Sequence, residues 1–162
     1  MAGTPLAATV RFIEPGTAQY YWVPAIANTS SPSAAEINAG TILTGQIAEV
    51  AGFSVSSDTV DAPDFASRFV SKVAGKINAE DSSLTFYRSN TSADVRTLLT
   101  RDLTGFVVVF PEGAVNPKKM DVFPVTVTTA AKQHTDSDPA KIQIQFVVTS
   151  VPTVDITVPA GV

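Results

Sequence analysis

The residue pattern predicts a mainly β protein: an antiparallel β-sandwich or barrel with one flanking α-helix. Three observations carry this. β-branched residues dominate, and apolar residues recur at alternate positions in several short runs. Gly and Pro punctuate those runs, so the strands are joined by turns rather than by long helices. One segment, 92–100, carries the best helical stripe, with Val95, Leu98 and Leu99 at i, i+3, i+4.

Taken in order, residues 6–14 and 18–23 read as two strands around Pro15-Gly16. Tyr20, Tyr21 and Trp22 are consecutive, so a strand sends them to alternate faces. One face is then core and the other a second buried surface. Residues 28–44 form a long connection, with room for two helical turns capped by Ser31, begun by Pro32 and ended by Gly40. A connection of that length in a compact domain usually has a job. Residues 45–60 are one long strand, or two bent at Gly52.

Residues 58–67 are acidic and contain proline; 68–76 have a helix-like spacing of Phe65, Phe69 and Val73 but end at Gly75, and read as an extended arm. Residues 81–88 are a strand, and Thr91 with Asp94 resembles a capping box ahead of the 92–100 helix. Strands follow at 105–110, 120–130 and 141–150, with Pro124 marking an edge or a bulge. The tail from 151 carries two prolines and reads as an arm. No internal repeat is present, and 162 residues suit one domain.

Composition excludes several kinds of chemistry. There is no Cys, so thiolate chemistry and disulfides are out; with a single His, zinc is also disfavoured. The net charge is −4, from 15 acids and 11 bases, which argues against a non-specific DNA-binding surface. No run approaches the roughly 18 apolar residues of a membrane span, so no membrane anchor is expected. The start, Met1-Ala-Gly-Thr-Pro-Leu, lacks the features of a signal peptide, which favours synthesis and folding in a cytoplasm. Charged residues make up only 16%, with 44% hydrophobic, a mild sign of a surface covered by a partner.

Catalytic candidates are thin. His134 lies in Gln-His-Thr-Asp-Ser-Asp, where Asp136 could orient it, but no nucleophile motif accompanies it and it reads as a solvated turn residue. Asp58, Asp61 and Asp64 could approach a hard cation; they do not fit the EF-hand pattern and read as a solvated loop. Asn28-Thr-Ser and Asn90-Thr-Ser match a glycosylation sequon but read as loop or cap residues. No cofactor is expected, and the protein is not expected to be an enzyme.

The charge order says more. From Phe12 to Ser67 there are six acids and no base: Glu14, Glu36, Glu49, Asp58, Asp61 and Asp64; Arg68, Lys72 and Lys76 follow at once. This order suits a self-complementary surface in a head-to-tail assembly. Subunit-interface candidates are therefore Glu36, Glu49, Asp58, Asp61, Asp64, Arg68, Lys72 and Lys76.

Several segments resemble one family when taken in order. They are Ala-Thr-Val-Arg-Phe-Ile-Glu-Pro-Gly-Thr at 8–17, the aromatic strand with Val-Pro-Ala-Ile-Ala, and Ser-Ala-Ala-Glu-Ile-Asn-Ala-Gly-Thr-Ile-Leu-Thr-Gly at 33–45. Asp-Ala-Pro-Asp-Phe at 61–65, Ser-Arg-Phe-Val-Ser-Lys at 67–72 and Ala-Glu-Asp-Ser-Ser-Leu-Thr-Phe-Tyr at 79–87 follow. Asp-Val-Arg-Thr-Leu-Leu at 94–99 and Met-Asp-Val-Phe-Pro-Val-Thr-Val at 120–127 complete the series. Together they resemble the tail tube (major tail) proteins of long-tailed bacteriophages infecting actinobacteria.

The resemblance implies a virion tail subunit assembled in the host cytoplasm. Copies would form stacked hexameric rings whose lumen holds the tape measure protein and passes double-stranded DNA. Tail terminator and baseplate or tail-tip proteins would be further partners. The alternative from the residues alone is a β-sandwich binding module, such as a phage decoration, baseplate or adhesin domain.

Overall fold

The computed structural model describes residues 7, 9, 16–90, 95–134 and 136–162. The strand expected at 6–14 and the Thr91–Asp94 capping box fall largely or wholly outside them.

The main sheet is antiparallel and runs β2 (Thr41–Ile42), β1 (Gln19–Val23), β7 (Thr104–Phe110), β8 (Lys119–Gln133), β9 (Lys141–Val148), β6 (Ser82–Tyr87), β3 (Ile47–Ala51). β10 (Thr153–Thr157) pairs with the first part of β8. The outermost strands, β2 and β3, are separated in the chain only by residues 43–46, which hold a 3-10 turn, Thr44–Gln46. The sheet must therefore curl until its two edges meet. The Leu43 N–H donates to the Tyr20 carbonyl (2.8 Å), and the Tyr20 N–H to Thr44 Oγ (2.9 Å), at that seam.

The curled sheet is filled by its own side chains. Trp22, Phe86, Val107, Phe123, Ile144 and Phe146 are among the buried residues of this inner core. A barrel of about eight strands has room for little else. Gly105 faces the Trp22 ring so closely that any side-chain carbon there would overlap it. A second core lies on the outer face of β1, β7 and β8, where Val23, Val108, Phe110, Met120 and Val122 are covered by Ile37 and Val158. This is why 105–110 is an unbroken apolar run: Val107 and Val109 face the inner core, Val108 and Phe110 the outer one. Likewise Tyr20 and Trp22 pack on the inner core and Tyr21 on the outer, as alternation requires.

Two short helices flank the sheet rather than one. α1 (Ala34–Asn38) covers the outer core with Ile37. α2 (Val95–Leu98) turns Val95 and the following Leu99 into the inner core. The N-cap of α1 is Ser33, not Ser31. Its side chain accepts from the Glu36 N–H, and Glu36 reaches back to the Ser33 N–H, a reciprocal capping box.

Pro124 lies inside β8, not at an edge. Its carbonyl accepts from the Thr149 N–H (3.0 Å), so its missing N–H points to the same side, where β9 has ended and β10 has not begun. The extended tail does not leave the body as an arm, because Thr153–Thr157 is paired on β8.

Neighbouring strands run in opposite directions, so the connections divide between two ends of the barrel. The segment 52–81, the loop 111–118 and the link 149–152 leave from one end. The connections 24–40, 88–103 and 134–140 leave from the other.

Candidate assembly surface

The segment 52–81 is the one part of the described chain that builds a separate sheet. β4 (Val55–Ala62) pairs with β5 (Ser71–Ala79), and neither joins the barrel. The two strands extend the β3–β6 ribbon beyond a kink. At the kink, Gly52 has φ 80° and Phe53 φ 57°. A Cβ on Gly52 would fall 2.6 Å from the Asp81 carbonyl oxygen, so glycine is required there.

Phe53 accepts a left-handed backbone that a bulky residue normally avoids, and its ring shows what offsets the cost. It packs edge-on against Phe123 (5.3 Å between centroids) and near Phe146 (6.1 Å) in the inner core. The Phe53 N–H donates to the buried Ser82 hydroxyl (2.9 Å), which donates to the Glu80 carbonyl (3.1 Å). The aromatic anchor and the hydroxyl bridge set the direction in which the arm leaves.

Beyond the kink almost nothing is buried. Of the thirteen large apolar residues left exposed among the described residues, seven lie on the arm: Val55, Val60, Phe65, Phe69, Val70, Val73 and Ile77. The tip is ordered by polar side chains instead. Asp64 accepts from the N–H groups of Ala66 (2.8 Å) and Ser67 (2.7 Å), an Asx turn, and Ser67 Oγ accepts from the Phe69 N–H (3.0 Å). This leaves Phe65 and Phe69 standing in solvent. A groove of about 360 Å³ separates the arm's base, at Val55 and Ile77, from the link Val148–Pro152.

Six of the eight charged interface candidates fall on this arm. Asp61 and Lys72 are opposite each other and form an ion pair at 3.5 Å, both more than 60% exposed. Such a pair contributes little. Asp58 accepts from Asn78 (2.7 Å). Asp58 and Asp61, three residues apart on a strand, face opposite sides, so Asp58, Asp61 and Asp64 do not converge on a cation. Among the described residues no cluster of metal-ligating side chains occurs. Arg68 and Lys76 are exposed, with no carboxylate partner in the described chain.

The other two candidates sit elsewhere. Glu49 is exposed on β3. Glu36 is held inside its own chain: it accepts from the Ala27 N–H (2.7 Å), the Ser33 N–H (2.8 Å) and the Ser33 hydroxyl (2.7 Å). These donors, led by the Ala27 N–H, hold its carboxyl below the ordinary 4.5. Burial pushes the Tyr20 phenol up. His134 and Asp136 are both exposed in the connection after β8.

The sequence reading placed charge on the 58–76 segment and allowed a bend at Gly52, which the structure shows, but it did not foresee the Phe53 and Ser82 contacts that hold the bend. It also missed the Ser33–Glu36 box, although Ser-Ala-Ala-Glu is its ordinary signature.

A filled, curled barrel with an apolar arm outside its own core has the build of a structural protein. Residues 6–161 match the phage tail tube protein family, and the chain belongs to it. Members of that family are structural components of the phage tail, not enzymes. The fold is similar to a chain in an extracellular contractile injection system, from the PVC sheath/tube terminator in its extended state. That match has a TM-score of 0.64 and 11% identity, covering 91% of this chain and 99% of the other. It is also similar to a chain in the anti-feeding prophage tube terminating cap (TM-score 0.60, 12% identity, 97% and 100% covered). A chain in the anti-feeding prophage baseplate matches with a TM-score of 0.60 and 10% identity, covering 96% and 98%. No curated protein sequence is detectably similar.

Proposed function

We propose that this chain is the repeating subunit of a phage tail tube. Six copies close a ring, rings stack, and the lumen holds the tape measure protein and then conducts double-stranded DNA. The observation that carries the reading is the arm: a two-stranded sheet with seven exposed apolar residues has no partner among the described residues. Such surface is normally covered by another protein. The packed barrel adds to it. The inner core is filled by aromatic and branched side chains, so a passage for DNA has to lie between copies, not through one.

In this assembly the 24–40 connection and the arm contact neighbouring copies, with Arg68 and Lys76 reaching carboxylates across the contact. Glu49, Asp58, Asp61 and Lys72 lie on the same surfaces. A tail terminator and baseplate or tail-tip proteins complete the ends. The tail is assembled in the cytoplasm of an actinobacterial host, on the strength of the ordered sequence resemblance.

A second reading has support from the fold likeness to chains in terminator, cap and baseplate structures: a subunit that ends a tube rather than extends it. Negative-stain electron microscopy of the concentrated protein separates the two. Hollow tubes are expected of a tube subunit, single six-fold rings of a terminating one. Monomers persisting at high concentration, with or without purified tail-tip complex as a seed, would sink both.

A further inference from the structure

The arm has two outer edges, and they are built differently. Among the described residues neither edge is paired. On β5 the ladder is interrupted: Ser57 faces Ile77 and Thr59 faces Ala74, so Asp58 stands against both Gly75 and Lys76. A bulge of this kind, with Lys72 and Lys76 on the same strand, blunts an edge against pairing. β4 has neither device. Its eight residues contain no Lys, Arg or Pro, and Pro63 follows at once. A lone pair of strands is marginal in water, and a third strand is the ordinary remedy.

The two faces of the ribbon define what that strand should carry. Val60 and Val73 are partners on one face, each 57% exposed, while Asp61 and Lys72 are partners on the other. The sequence holds a segment of matching pattern, Val10-Arg11-Phe12-Ile13, which reads as part of a strand turning into 18–23. β1 has no room for it: β7 pairs along its whole length, and β2 with Leu43 and Thr44 holds the other side. Ala7 and Thr9 are exposed and outside any strand. β1 starts at the end of the barrel from which the arm leaves, so the chain before β1 approaches it from that same end.

We propose that the open edge of β4 takes Val10–Ile13 of a second copy as its third strand. An antiparallel register that sets Arg11 opposite Asp61 also sets Phe12 opposite Val60, Val10 opposite Ala62 and Ile13 opposite Thr59. Phe12 then extends the Val60–Val73 row, and Arg11 extends the Asp61–Lys72 row. Pro63 ends the pairing on one side; Glu14, which would meet Asp58, ends it on the other. In strand addition the main-chain hydrogen bonds give affinity and the side-chain rows fix the register. The inference deepens the self-assembly reading above and rests on it for the ring: each copy gives one strand and takes one, a heterologous exchange that rotation can close.

The chain has no Cys, so engineered pairs report without background. Opposed residues on antiparallel strands have Cα atoms about 4.5–5.5 Å apart, within disulfide range. Full-length Arg11→Cys is mixed with full-length Asp61→Cys and incubated with oxidised glutathione. Linked pairs are expected at least about tenfold above a mixture of Arg11→Cys with Val73→Cys, a position one strand further away on the other face. The double variant Arg11→Cys, Asp61→Cys is expected to give a ladder of linked copies. Phe12→Cys mixed with Val60→Cys repeats the test if either first variant melts early.

Linkage no greater than the control overturns the proposal. So does a link within one chain, because the edge is then covered by its own copy. Dimers of Asp61→Cys alone, the mark of arm pairing with arm, overturn it as well. If wild-type rings form on electron-microscope grids and the 11–61 link does not, this inference falls and the ring reading stands. If the link forms between copies and rings do not, strand exchange is upheld and the ring reading falls.

Discussion

Val107 and Val60 occupy strands of similar composition and meet opposite fates. Val107 is fully buried in the barrel, while Val60 on the arm is 57% exposed. The difference lies in what faces each strand. β7 has β1 and β8 at its sides and a core on each face. β4 has β5 alone, and an isolated two-stranded ribbon is marginally stable in water. The barrel is a folding unit in the ordinary sense. The arm has the amino acids of a core without the core.

That contrast predicts a steep gradient of mutational effects. In the barrel, Phe123→Ala empties a fully buried site that also supports Phe53, and unfolding by denaturant should show a loss of about 3–5 kcal/mol. A loss below about 1 kcal/mol would break the comparison at its stronger end. At the junction, Gly52→Ala adds a Cβ against the Asp81 backbone at a left-handed position. It should cost about 1–3 kcal/mol and raise protease cleavage within 55–79. On the arm, Phe65→Ser with Phe69→Ser should leave the isolated chain's melting free energy within about 0.5 kcal/mol while abolishing higher assembly. An equal loss in both measurements would show that the tip is part of the fold after all. Lys72→Ala, which removes one exposed ion pair, should cost no more than about 0.2–1 kcal/mol in a double-mutant cycle with Asp61→Ala.

A pH titration sharpens the same contrast from the barrel side. The carboxyl of Glu36 is lowered by the donors around it, so it favours the folded state most above its ordinary 4.5. That contribution is fully present above 4.5 and disappears as pH falls through the lowered folded value. Hydrogen-exchange protection at Ala27 and Ser33, taken relative to the intrinsic rate at each pH, should fall on acidification, and Glu36→Gln should remove the dependence.

Much of the barrel was legible because its signals are local. Alternation at Tyr20–Trp22, the unbroken apolar run at 105–110 and the Ile142, Ile144, Phe146 series each state which faces are buried. The bend at Gly52 was legible as well, since glycine at a strand break points to a positive φ. Other features depend on partners distant in sequence. Nothing near residue 60 distinguishes an exposed valine from a core one, and the spacing of Phe65, Phe69 and Val73 imitates a helix. Pro124 reads as an edge marker because proline lacks a donor. It sits mid-sheet because two different strands share that side of β8 and leave a gap at the right residue. The tail's pairing with β8 fills the other side of that gap.

The kink at Gly52–Phe53 is also a lever. Eight strand residues beyond a fixed pivot reach roughly 26 Å. An error of about ten degrees at the pivot would then move the tip by roughly 4–5 Å, a full interstrand spacing. Phe53 and Ser82 therefore act as a tolerance device. By holding one angle at the base, they keep the tip within one interstrand spacing of a set position relative to the barrel, and in the stacked assembly proposed above the straightness of the stack would be decided at two residues per subunit.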